Sequence, residues 1–145
     1  AVIAEILGWL PPKYARNGTF NKSTKMKIHQ ITKNNIVCAV VESDGFVITD
    51  TQSALDTLMA AKYVTGSKNI IIKKELITED FFILSRGLAG EILQKYVNYS
   101  GRIAIYGDYS HYTSKPLKDF IYESNKGNNV FLVSTKDEAI DMLTK

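Results

Sequence analysis

The chain of 145 residues has one cysteine, two histidines and three prolines, and each shortage removes a class of explanation. A single cysteine forms no internal disulfide, so the fold must rest on buried apolar surface, which a chain of this length can supply; a reducing, cytoplasmic setting is expected. Cys38 lies inside Ile36-Val37-Cys38-Ala39-Val40-Val41, where a thiol is expected to act as a small buried hydrophobe. His29 has no His, Cys or carboxylate at metal-ligand spacing, so no metal site is expected there. The chain also lacks Gly-x-x-x-x-Gly-Lys-Ser/Thr and Gly-x-Gly-x-x-Gly, and no cofactor is expected. No apolar stretch approaches the roughly 20 residues that span a bilayer. The apolar first ten residues lack a basic start and run into Pro11-Pro12, which makes a poor signal peptide.

Net charge is scarce where it would matter. The formal charge is +3, yet Lys13, Arg16, Lys22 and Lys25 against Glu5 account for all of it; residues 26–145 carry 14 basic and 14 acidic side chains. A nucleic-acid surface needs clustered Lys and Arg to displace phosphate counterions, so no nucleic-acid partner is expected. What remains, 45% hydrophobic and 23% charged, is the balance of an ordinary globular domain.

Composition changes near residue 25 from coil rich in Asn, Gly, Lys, Ser and Thr to alternating apolar runs. Residues 1–25 read as an N-terminal extension, either tag or read-through sequence or a docking arm carrying Val2, Ile3, Ile6, Leu7, Trp9 and Leu10. Such an arm invites a homodimer. Residues 26–145 read as a single α/β domain. A short strand from Lys27, a turn at Lys33-Asn34-Asn35 and an apolar strand Ile36 to Val41 predict a hairpin. Phe46-Val47-Ile48 reads as a brief extended run, and Thr49, Asp50 or Thr51 as the cap of a helix whose stripe is Ala54, Leu55, Leu58, Met59 and Lys62. Ile70-Ile71-Ile72, all β-branched, predicts an inner parallel strand.

A second helical pattern opens at Thr78 and passes through Phe81, Leu88, Ile92 and Tyr96. Gly87 and Gly90 interrupt it, implying close backbone packing or a break near residue 85, with a small-residue face against the sheet the favoured account. Strand Ile103 to Tyr106 follows, then a loop to Lys115. A helix with Pro116 in its first turn, a strand Val130 to Val133 and a helix capped by Ser134 or Thr135 complete the domain. Strands alternating with about four helices predict a mixed, mostly parallel sheet with an N-terminal hairpin.

Ligands in open α/β sheets bind beyond the carboxyl ends of the strands, which nominates the Gly107-Asp108-Tyr109-Ser110-His111-Tyr112-Thr113-Ser114-Lys115 loop. Hydrolase chemistry would draw on Asp108, Ser110 and His111, but adjacency in sequence does not bring side chains together, and no Gly-x-Ser-x-Gly elbow exposes the serine. The same loop composition suits a solvated connection in which Asp108 and Ser114 satisfy backbone donors.

Three stretches carry a resemblance: Ile48 to Asp56, Leu88 to Lys95, and Asp119 to Gly127. They resemble the signature segments of the bacterial family known as domain of unknown function 4180, which implies a bacterial cytoplasmic protein and leaves residues 1–25 outside the pattern. More distantly, the layout is similar to the STAS domain of anti-sigma-factor antagonists. Asn35 to Val41, Phe46 to Ile48 and the helix from Thr51 mirror its opening; Ser85-Arg86-Gly87-Leu88-Ala89 resembles its Ser-Ser-Gly-Leu-Gly helix start; and Ser134 to Ile140 is similar to its ending. In that family the serine before the glycine is a phosphorylated switch. Arg86 holds that place here, with Ser85 matching the serine before it. The resemblance implies a STAS-like, non-enzymatic regulatory or protein-interaction domain that meets a protein partner through Ser85, Arg86, Asp108, Tyr109, Ser114 and Lys115. The alternative is a small-molecule-binding protein or hydrolase working from residues 107–115.

Overall fold

Each strand pairs with the next one in the chain. The computed structural model describes residues 26–145, so the expected tag or docking arm at 1–25 lies outside the described residues. Strands β1 (Lys27–Lys33), β2 (Ile36–Glu42), β3 (Asn69–Lys73), β4 (Arg102–Tyr106) and β5 (Val130–Val133) form one sheet in the order β1-β2-β3-β4-β5. The β1–β2 pair is an antiparallel hairpin and every later pair is parallel. Asn34 and Asn35 make the hairpin turn with φ of 55° and 65°. Two successive left-handed residues give the type I′ twist that matches the strands, and asparagine tolerates that region better than most residues.

Four helices connect and flank the sheet: α1 (Thr51–Thr65), α2 (Leu88–Asn98), α3 (Lys115–Lys126) and α4 (Lys136–Leu143). Crossovers of one hand that always advance in the same direction deliver their helices to one face. Accordingly Leu58 of α1, Ile92 and Tyr96 of α2 and Leu117 of α3 pack with Ile70 and Ile72 in one core layer. The last helix follows edge strand β5 and covers the opposite face, where Ala139 and Leu143 meet Cys38, Val40, Ile71, Ala104 and Phe131. The inner strand β3 is thus buried on both sides, each isoleucine contributing about 1.5–3 kcal/mol by leaving water.

Helix ends follow local chemistry. Asp50 caps α1: the Ser53 amide donates to its Oδ1 at 2.7 Å, while the Asp50 amide donates to Ser53 Oγ at 3.0 Å, a reciprocal box that satisfies two end donors. Thr135 and Ser114 cap α4 and α3 in the same single-sided way. The buried face of α1 is Ala54, Thr57, Leu58 and Ala61, rotated from the expected stripe, so Leu55 and Met59 are only half-buried. Thr57 enters the core because its hydroxyl donates to the Ser53 carbonyl at 2.8 Å.

The second helical pattern divides. Two single turns of 3-10 helix, Glu79–Phe82 and Leu84–Arg86, precede α2, and Gly87 separates them from it at φ 84°. That backbone is open to glycine and costly for other residues, so Gly87 is the break. The expected small-residue contact with the sheet is not made at Gly90, where an added Cβ would meet nothing within 4 Å. Phe46-Val47-Ile48 also falls short of a full strand: Ile48 makes one isolated parallel bridge to Ile77. At the β5 edge, Asn125 of α3 donates to the Leu132 carbonyl and accepts from the Leu132 amide, at 3.0 and 2.8 Å, closing part of that ladder to outside strands. Among the described residues no helix is long and apolar enough to cross a membrane.

Candidate functional site

The loop leaving β4 is held from beneath by a lysine. Lys74 follows β3 in a single 3-10 turn (Lys74–Leu76), where the inside-outside alternation of the strand continues: Lys73 and Glu75 are exposed, and Lys74 falls on the face of Ile70 and Ile72, 7% exposed. Its ammonium lies 5.1 Å from the centroid of Phe82 and 5.0 Å from that of Tyr112, with Glu79 Oε1 at 3.6 Å. The Tyr112 hydroxyl donates to the same Glu79 oxygen at 2.8 Å. Burial alone would depress the Lys74 pKa; hydrogen bonding with Tyr112 and the charges of Glu79 and Glu75 outweigh it and raise the pKa, so the amine stays protonated. A buried cation is tolerated only when so paired. Gly107 passes directly over this lysine, and a Cβ there would sit 2.6 Å from Lys74 Cβ.

Aromatic packing fixes the rest of the loop. Phe82 and Tyr112 stack at 5.5 Å, and the Tyr109 hydroxyl folds back to donate to the Ile105 carbonyl at 2.8 Å. Tyr109 therefore spends its polar atom inside the fold, and burial pushes its hydroxyl well above the ordinary tyrosine range. Ser114 is likewise occupied as the α3 cap, accepting from the Leu117 amide at 3.3 Å. Lys115 pairs with Asp119 at 2.7 Å on the open surface.

Asp108, Ser110 and His111 form no relay. The Ser110 hydroxyl first, and then the Ser110 amide, which donates to Asp108 Oδ1 at 2.8 Å, hold the Asp108 carboxyl below the usual range. His111 lies against Tyr112, ring centroids 4.1 Å apart, and among the described residues no hydrogen bond joins it to Ser110 or Asp108. All three are exposed. Among the described residues no group of three or more His, Cys, Asp and Glu could hold a metal ion.

The structure does bring Ser85 to the loop. Residues 82–85 form one wall of a cleft of about 350 Å³, and residues 111–114 with Pro116 form the other. Ile83 on the first wall is 42% exposed. Arg86 stands beside the cleft in the turn that ends the first wall, its side chain 62% exposed and 3.7 Å from Asp80. Lys74, which packs beneath the loop, was missed from sequence: only its alternation with Ile70 and Ile72 separates it from its two exposed neighbours Lys73 and Glu75.

Fold and site together define a mixed α/β domain: a hairpin-led, mostly parallel five-stranded sheet, three helices on one face and one on the other, with a shallow cleft at the entry to α2. The chain belongs to the family described as a domain of unknown function (DUF4180), whose model matches residues 33–143. Among curated proteins and solved structures, none matches the chain.

Proposed function

We propose that this domain is a STAS-like, non-enzymatic regulatory module of the bacterial cytoplasm, which binds a protein partner through the cleft between residues 82–85 and 111–116. The observation that carries the reading is the shared cleft: Ser85, placed before a helix start that is similar to the STAS switch segment, faces the β4–α3 loop across it. Ile83 and the Tyr112 side offer apolar surface for an anchoring side chain, while Arg86, the residue after Ser85, supplies an exposed charge next to the first wall. The Arg86–Asp80 pair is more than half exposed on both sides, so it contributes little to stability and exchanges readily for a partner's carboxylate. Because Arg86 occupies the place of the switch serine, binding here runs on a permanent positive charge rather than on a phosphate at that position.

The alternative, a small-molecule-binding protein or hydrolase using Asp108, Ser110 and His111, has less support, since His111 contacts Tyr112 and the trio is open to water. A pull-down from the native host tests the first reading. A partner retained by the unmodified protein and lost with Arg86→Glu is the expected result; an empty eluate, or a partner held equally by Arg86→Glu, counts against it.

A further inference from the structure

Among the described residues, the face of the sheet beneath α4 is covered only in part. Eight residues give a helix about 12 Å long, and it packs on the rows containing Cys38 and containing Val40, Ile71, Ala104 and Phe131. Period-two alternation puts Glu42, Lys73 and Tyr106 on the same face, one row nearer the strand carboxyl ends. The registers agree: Glu42 lies one step past the Val41–Ile72 pair, and Lys73 lies opposite Tyr106.

Residues 43–46 and Glu75 border this uncovered row, leaving a cavity of about 540 Å³. That size falls within the range of small-molecule sites, and the cavity lies at the carboxyl ends of β2, β3 and β4. Two aromatic side chains line it, Tyr106 and a Phe46 that is 55% exposed. Glu42 and Glu75 flank them, and among the described residues neither has a lysine or arginine within 4 Å; the His29 imidazole Nδ1 lies 3.9 Å from Glu42 Oε1. Burial first, then the charges of both glutamates, raises the Tyr106 hydroxyl, so both fields reach into the cavity. Lys73 is the one basic residue in a lining that also holds Glu42, Asp44 and Glu75.

We propose that this cavity binds an organic cation, a protonated amine on a flat apolar body, with the ammonium between Glu42 and Glu75 and the body against Phe46 and Tyr106. An aromatic face attracts a cation and stacks on a ring, whereas an anion meets two carboxylates there. The site is separate from the cleft at residues 82–85.

Titration of the full chain with tryptamine, followed by amide NMR shifts, tests the proposal; indole-3-acetate, the same ring with the opposite charge, is the control. Saturating shifts centred on Gly45, Phe46, Glu75 and Tyr106 are expected with the amine. The Glu42→Gln, Glu75→Gln double variant should weaken binding about tenfold or more, Phe46→Ala several-fold, and Arg86→Glu not at all. All four positions are exposed, so the variants keep the fold, which their amide spectra verify. Absence of saturating shifts at those amides, equal affinity for the indole acid, or unchanged affinity in the double glutamine variant would overturn it.

Discussion

Replacing Gly107 by alanine sets two calculable effects against each other. Gly107 is not among the positive-φ glycines, so alanine fits its backbone, and the loss of unfolded-state freedom alone would stabilise the protein by about 0.4–1 kcal/mol. The added methyl, however, would lie 2.6 Å from Lys74 Cβ, 3.2 Å from its Cδ and 3.5 Å from its Cγ. Carbon pairs are comfortable at about 3.5–4.0 Å. Lys74 Cβ moves only with its backbone, and the outer carbons are restrained because the ammonium is held by Phe82, Tyr112 and Glu79. Overpacking of this kind costs about 1–3 kcal/mol. At central values of about 2 against about 0.7 kcal/mol the clash wins, and a net loss of about 1.3 kcal/mol is expected, read as a lower urea midpoint with unchanged slope. Gly90→Ala supplies the reference, since its Cβ meets nothing and α2 gains up to about 1 kcal/mol. A Gly107→Ala protein as stable as the parent would refute the claim that Lys74 is fixed beneath the loop.

Tyr96 is fully buried between α1 and α2, its hydroxyl donating to the Ala54 carbonyl at 2.8 Å, so Tyr96→Phe should lower stability by about 0.5–1.5 kcal/mol; no loss on thermal or urea unfolding would contradict that bond. Cys38 is inaccessible, and burial raises its pKa despite the opposing charge of Arg102. It should therefore resist a thiol reagent at neutral pH until the protein unfolds, and prompt labelling of the native state would show the α4 face to be open. Asp108 has its carboxyl lowered chiefly by the Ser110 hydrogen bonds, so the turn's contribution is present above the unfolded carboxylate pKa and is lost as pH falls through the lower folded value. An NMR titration of the Ser110 amide should thus inflect below the ordinary aspartate range and lose that inflection in Asp108→Asn; an inflection at or above that range would mean the bond is absent in solution.

Elements whose signals are local were legible from sequence. Asn34-Asn35 states its own turn, Asp50 and Thr135 their own caps, and Ile70-Ile71-Ile72 a strand buried on both faces, because each depends on φ preferences or side-chain chemistry within a few residues. Gly87 was ambiguous, since a glycine within a helical pattern looks the same whether it supplies a positive φ or a close contact; only the backbone distinguishes them. Lys74 was overlooked because a lysine reads as the exposed end of a strand, although period two from Ile70 and Ile72 places it on the inner face. The cavity beside Glu42 was also hidden: its residues come from three strand ends that become neighbours only through the sheet order, and sequence does not state that order. The loop leaving β4 lies between β4 and α3 as expected, and its aromatic side chains serve packing as much as the surface.

Photocrosslinking in the native host tests the central claim most directly. A photoreactive residue at position 85 or 113, on the two walls of the cleft, should capture a discrete protein partner, and Arg86→Glu should abolish that capture. The same residue at position 136, on α4, should capture none of it. Equal capture from all three positions, or capture from the cleft that Arg86→Glu leaves intact, would contradict the assignment of this surface as the contact site.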